Sequence, residues 1–195
     1  RISWLRDKSS CFYYSIFWSP DSKKIMFVDQ AMNINCLDVN SGEVIKVDKG
    51  KYMFEGGLRN FRVNWSPDSN WAVYSRGTNN RTKSAIFLYN LENKKLSQLT
   101  AGYYSDYSPA FSADGKHLFF ATNRTFNPVY SDLDNTFIYP NTTTIAVGTL
   151  SDSEKSLLEV KNDAVENSKK DSDKNEDSDD DKKKDSDKKE KDKIA

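Results

Sequence analysis

Short apolar runs separated by polar turns fill residues 1–160, and no useful length of helical periodicity interrupts them. Three runs are almost continuously apolar: Ile25-Met26-Phe27-Val28, Trp71-Ala72-Val73-Tyr74 and Leu118-Phe119-Phe120-Ala121. A strand with one face in water alternates apolar and polar residues, whereas a strand covered on both faces need not. Each run is preceded by nearly the same eight residues: "FWSPDSKK" at 17–24, "NWSPDSNW" at 64–71 and "AFSADGKH" at 110–117. The repeat predicts one unit written three times.

The octet reads as a corner between two strands. In Ser19-Pro20-Asp21-Ser22, proline sets φ near −65° at the second turn position. Aspartate tolerates the third and can accept nearby backbone N–H groups. Ser66-Pro67-Asp68-Ser69 repeats this, and Ser112-Ala113-Asp114-Gly115 exchanges the proline for the Gly115 favoured at the fourth position. Further strands follow at 34–39, 85–91 and 144–150, and closing strands at 44–47 and 96–100. First strands lie near 15–19, 62–66 and 109–112. Asp21, Asp68 and Asp114 stand 47 and 46 residues apart, a period typical of a β-propeller blade. The expected fold is all-β: about three four-stranded antiparallel blades of a partial propeller, roughly 11–50, 58–101 and 108–160. A long insertion, "NRTFNPVYSDLDNTFIYPNTTT", interrupts the third.

Charge divides the chain further. Residues 1–160 carry 18 Lys and Arg against 16 Asp and Glu and hold every aromatic, while 161–195 hold 11 Lys and 13 Asp and Glu. The last segment cannot bury enough apolar area to offset chain entropy, and it reads as a disordered tail. No basic excess points to nucleic acid, and no apolar run reaches the ~20 residues that span a bilayer. The start at Arg1 suggests a piece of a longer chain.

Candidate chemistry is sparse. The lone histidine, His117, follows the third corner at a position held by Lys24 and Trp71 in the other copies, so an ordinary strand residue is expected. Cys11 and Cys36 form no disulfide framework or metal site and read as small buried hydrophobes. In the tail, Asp171, Asp173 and Asn175 begin like a calcium loop, but Glu176 and Lys182 stand where it needs Gly and Glu. The Asn-x-Thr triplets at 80–82, 123–125 and 141–143 read as polar turns. No catalytic residue, cofactor or metal ligand is expected. The aromatics Phe12-Tyr13-Tyr14, Phe17-Trp18, Trp65 and Tyr103-Tyr104 are assigned mostly to packing between blades. Arg59, Tyr103, Tyr104 and Tyr107 are candidates for lining a channel or face.

"FWSPDSKKIMFVDQAMNINCLDVNSGEVIKVDKG", "NWSPDSNWAVYSRGTNNRTKSAIFLYNLENKKLSQLT" and "SPAFSADGKHLFFATN" resemble TolB-like propeller repeats. Over roughly residues 1–150 they resemble the later blades of the first propeller of tricorn-type proteases. The resemblance implies that a second propeller and a serine protease core with a PDZ domain lie downstream, the linkage to that propeller falling within 151–195. It implies a propeller that guides or gates peptides or unfolded polypeptides toward that core. Its other partners would be the remaining blades and protease domains, in a parent that forms a homo-oligomer. Archaeal-type relatives imply cytoplasm, the compartment expected here, and bacterial ones imply the alternative of a periplasmic or exported protein. The same motifs leave open a TolB-like protein-binding module, or a prolyl-oligopeptidase propeller followed by a Gly-x-Ser-x-Gly elbow.

Overall fold

A computed structural model describes residues 12–53, 55–79, 83–131, 134 and 136–158. Cys11 and the charged segment 161–195, with its calcium-like stretch, lie outside them. The first sheet contains β1 (Tyr13–Trp18), β2 (Lys24–Asp29), β3 (Asn33–Asp38) and β4 (Val44–Lys49), antiparallel and in chain order. After the one-turn helix α1 (Glu55–Arg59), the second sheet repeats that order with β5 (Val63–Trp65), β6 (Trp71–Gly77), β7 (Ser84–Asn90) and β8 (Lys95–Gln98). The third begins with β9 (Asp106–Phe111) and β10 (His117–Thr122). The insertion folds into its own hairpin, β11 (Val129–Tyr130) and β12 (Phe137–Ile138), before β13 (Thr144–Thr149) pairs with β10.

Two sheets therefore have the expected four strands, and the third has three among the described residues, in the order β13-β10-β9. Past β13 the chain turns at Ser151, whose carbonyl accepts the Glu154 N–H. Glu154 there pairs with Lys116 at 2.9 Å.

The repeated octet builds one corner three times. In the first, the Ser22 N–H donates to the Ser19 carbonyl and the Ser19 N–H to the Lys24 carbonyl, both at 2.9 Å. The Lys24 N–H in turn donates to Ser19 Oγ at 2.9 Å, so the hydroxyl takes a ladder bond that the backbone carbonyl cannot reach. Ser19 Oγ donates onward to Asp21 Oδ1 at 2.6 Å, and that oxygen also accepts the Lys23 N–H. Ser66 with Asp68, and Ser112 with Asp114, reproduce every one of these bonds. The fourth turn residue is left-handed in all three: Ser22 at φ 59°, Ser69 at 60° and Gly115 at 72°. The first position is serine because its hydroxyl accepts from one strand while donating into the turn.

The continuous apolar runs follow from burial on both faces. Successive side chains of a strand point to opposite sides. Ala72 and Tyr74 of β6, with Ala85 and Phe87 of β7, join Met26, Val28, Ile34 and Cys36 of the first sheet in one core. Val73 and Ile86 point the other way and meet Leu118, with Leu88, Phe111 and Phe120 packed around them. The second sheet is thus sandwiched between the first and third, as stacked blades are. Each buried Val, Ile, Leu, Met or Phe among them contributes ~1.5–3 kcal/mol.

The first strands of neighbouring sheets are also tied directly. Trp65 Nε1 donates to the Phe17 carbonyl at 3.2 Å, and the Phe111 N–H donates to Asn64 Oδ1 at 2.9 Å. At the corners, the Asp21 N–H donates to Ser69 Oγ at 3.1 Å. Of the aromatics assigned to packing, Trp65, Phe17 and Tyr14 join the core between sheets. Phe12, Trp18 and Tyr103 do not; Trp18 is 51% exposed and Tyr103 80%. Trp18 occupies the position of Trp65 in the repeat but has no preceding sheet among the described residues to cover it.

Candidate functional site

Antiparallel order sorts the loops to two ends of the sheets. The corners at 19–22, 66–69 and 112–115 occupy one end; the connections 50–62 and 99–105 and the insertion leave from the other. A cavity of about 390 Å³ lies at the corner end, where Pro67 and Asp68 face Asp114 and Gly115, with Trp71 and Phe111 beneath. Ser19 and Ser66 are buried under their turns, whereas Pro20, Asp21, Pro67, Asp68 and Asp114 are exposed. Serine hydroxyl donors, followed by backbone N–H groups, hold the carboxyls of Asp21, Asp68 and Asp114 below the usual range. Every one of these contacts is internal to a corner or joins two of them.

A second cavity, of about 400 Å³, opens at the connection end and has a different character. Its wall is formed by 51–53, the end of α1, the start of β7 and the 107–109 stretch of β9. Lys51, Arg62, Arg76 and Lys83 all line it, and none of the lining residues is acidic. Two close approaches shape the wall. A Cβ at Gly77 would stand 2.9 Å from the Lys51 carbonyl oxygen, so only glycine lets segment 51–53 lie against the end of β6. Arg62 Nη1 donates to the carbonyls of Arg59 and Phe61 at 3.0 and 2.8 Å, which pins the guanidinium at the rim.

Beneath the cavity, Arg76 is neutralised. Its Nε and Nη2 donate to Asp48 Oδ2 and Oδ1 at 2.6 and 3.1 Å, and its guanidinium lies 3.7 Å from the centre of the Phe87 ring. The Tyr74 hydroxyl donates to Asp48 Oδ2 at 2.9 Å. Burial, reinforced by the Asp48 charge, raises the Tyr74 hydroxyl well above its usual range and keeps it protonated. This constellation joins β4 of one sheet to β6 of the next.

The sequence-predicted channel residues do not form one group. Tyr107 lines the connection-end cavity, with its hydroxyl 3.2 Å from Thr143 Oγ1. Arg59 stands exposed on α1, and its carbonyl accepts from Arg62 Nη1. Tyr103 projects into solvent, and Tyr104 lies beside Arg124, 5.4 Å from ring centre to guanidinium. Lys51, Arg62, Lys83 and the Asp48–Arg76 pair went unrecognised in sequence. They lie up to 35 residues apart, and their one local signal is Arg76 closing the otherwise apolar run of β6.

Among the remaining reactive groups, His117 is buried, its backbone N–H completes the third corner, and its Nε2 has no hydrogen-bond partner among the described residues. Burial pushes the Cys36 thiol up to about 11. Among the described residues no cluster of three or more His, Cys, Asp or Glu could hold a metal ion, and no helix is long and apolar enough to cross a membrane.

Residues 3–194 match the profile of the tricorn protease second beta propeller domain. Tricorn protease homolog 1 of Streptomyces coelicolor is 32% identical over 114 residues, covering 58% of this chain and 10% of the relative. The tricorn protease of Thermoplasma volcanium is 27% identical over 135 residues, covering 67% and 13%. The chain thus spans only about a tenth of the length of these relatives. A crystal structure of the tricorn protease superimposes with a TM-score of 0.66 at 20% identity, over 78% of this chain and 15% of that one. The match to the second propeller corrects the placement in the first, and with it the expected linkage into the second at 151–195. The serine–aspartate corner recurs in all three sheets, so it does not tell one blade from another. From its sequence match and its stacked sheets, the chain belongs to the tricorn protease second beta propeller domain family.

Proposed function

We propose that this chain is a non-catalytic propeller portion of a tricorn-like serine peptidase, and that it guides or gates peptide substrates toward a proteolytic core contributed by other parts of the parent. The observation carrying this reading is the lateral tie between first strands, from Trp65 Nε1 to the Phe17 carbonyl and from the Phe111 N–H to Asn64 Oδ1. Strands held side by side in this way make a continuous wall, and a ring of such blades encloses a central channel. A channel of fixed width passes an extended peptide and rejects a folded chain. The peptides and the remaining blades and protease domains of the parent are the partners this reading requires.

Deleting the propeller segment from the full parent enzyme and comparing cleavage of short and long peptides tests it. Loss of discrimination by length is expected. Unchanged discrimination would defeat the gating role.

A further inference from the structure

We infer that the cavity at the connection end of the second and third sheets binds the carboxylate of a peptide. This rests on the peptide-guiding reading above and gives that reading a recognition chemistry. The cavity is about 400 Å³, within the ~300–1,000 Å³ of small-ligand sites. It combines apolar walls from Met53 and Phe61 with two tyrosines, Tyr52 and Tyr107.

Its charge is one-sided. Asp48 already neutralises Arg76, whereas no carboxylate among the described residues pairs with Lys51, Arg62 or Lys83. Lys51 Nζ donates only to the side-chain oxygen of Asn79, at 2.8 Å. Arg62 spends Nη1 on two backbone carbonyls, which leaves its Nε–Nη2 edge for a ligand. An arginine edge of this kind matches the two oxygens of a carboxylate, and a lysine nearby adds a point charge.

The guanidinium of Arg62 is held in place before any ligand arrives, pinned to the turn after α1. Gly77 lets the Lys51 backbone lie against β6, and Lys83 immediately precedes β7. A preorganised donor loses little freedom on binding, so a carboxylate gains more from Arg62 than from a mobile surface lysine. The carboxylate could be the chain terminus of a peptide or the side chain of Asp or Glu, and the same groups would receive either.

The test measures binding of a fluorescent hexapeptide to the full parent protein. Three forms are compared: a free C-terminus, a C-terminal amide, and an amide with one internal Glu. A charge-assisted pair makes amidation weaken binding by roughly tenfold. Restoration by the internal Glu assigns the site to acidic side chains; no restoration assigns it to chain termini. Arg62→Gln is expected to remove most of the preference, and Lys83→Gln a smaller part of it, while the amidated peptide binds as before. Lys83→Gln breaks no hydrogen bond among the described residues, so its result does not depend on refolding of the turn that Arg62 holds. Equal binding of all three forms would overturn the carboxylate assignment and leave peptide guiding standing. Binding of none of them would overturn both. Retention of the full preference in Lys83→Gln/Arg62→Gln would also overturn the assignment.

Discussion

Trp65 donates its indole N–H to the carbonyl of Phe17, 3.2 Å away, across the boundary between the first and second sheets. The ring itself is 9% exposed, so this one residue both fills the interface and satisfies a carbonyl there. Trp65→Phe is expected to cost about 1 kcal/mol, the worth of one hydrogen bond. Trp65→Ala is expected to cost ~3–5 kcal/mol through the cavity it leaves. Urea denaturation would register both as a lower midpoint. A midpoint unchanged in Trp65→Ala would show that the sheets are not coupled there.

The corner serines offer a graded series. Ser66 is buried, and its Oγ accepts the Trp71 N–H while donating to Asp68. Ser66→Ala leaves that N–H without its acceptor and is expected to cost ~1–3 kcal/mol. Ser112→Ala, in a more open corner, should cost less. The opposite sign is expected at the exposed Ser22, at φ 59°. Glycine relieves a left-handed residue of ~1–2 kcal/mol, so Ser22→Gly should raise the melting temperature. Ser69→Gly relieves the same strain but loses the bond from the Asp21 N–H, and should gain less than Ser22→Gly.

Asp48, Arg76 and Tyr74 form a buried group across the same two sheets. Asp48→Ala strands a guanidinium that is only 11% exposed, and removal of one partner of a buried pair costs ~3–5 kcal/mol. Replacing both, as Asp48→Leu with Arg76→Met, should cost less than the single change. A double-mutant cycle measures the difference. Should the double replacement cost as much as the two single changes added together, the pair contributes no coupling.

Stability should fall at both ends of the pH scale, for reasons of opposite sign. The carboxyls of Asp21, Asp68 and Asp114 titrate in the folded chain below their ordinary 3.8. Their contribution is present above that value and is lost as pH falls through the lower folded values. Tyr74 is shifted upward, so its contribution is intact below the ordinary tyrosine value of 10.0 and is lost as pH rises above it. Chemical denaturation of Asp68→Asn should show a shallower acid slope, and Tyr74→Phe a shallower alkaline one. Slopes identical to the parent's would remove these residues from the account.

The octet, its period and the apolar runs sufficed for the strands and the stacked-sheet fold, because corner chemistry and a continuously apolar strand are both written within a few consecutive residues. Each corner's serine, aspartate and fourth residue lie within six positions of one another, and their hydrogen bonds close without help from the rest of the chain. The one-turn helix α1 left no trace in the pattern. With Gly56 and Gly57 among its five residues, it is held by the docking of Leu58 into the core between sheets. The basic cavity was hidden for a related reason. Lys51 and Arg62 stand at the two ends of one connection and Lys83 closes another, and only antiparallel order brings those connections to one end of the sheets. Trp18 and Trp65 are indistinguishable by local sequence, yet one is exposed and the other buried. A residue's neighbours along the chain determine its strand and its turn, but which sheet covers it is decided in three dimensions.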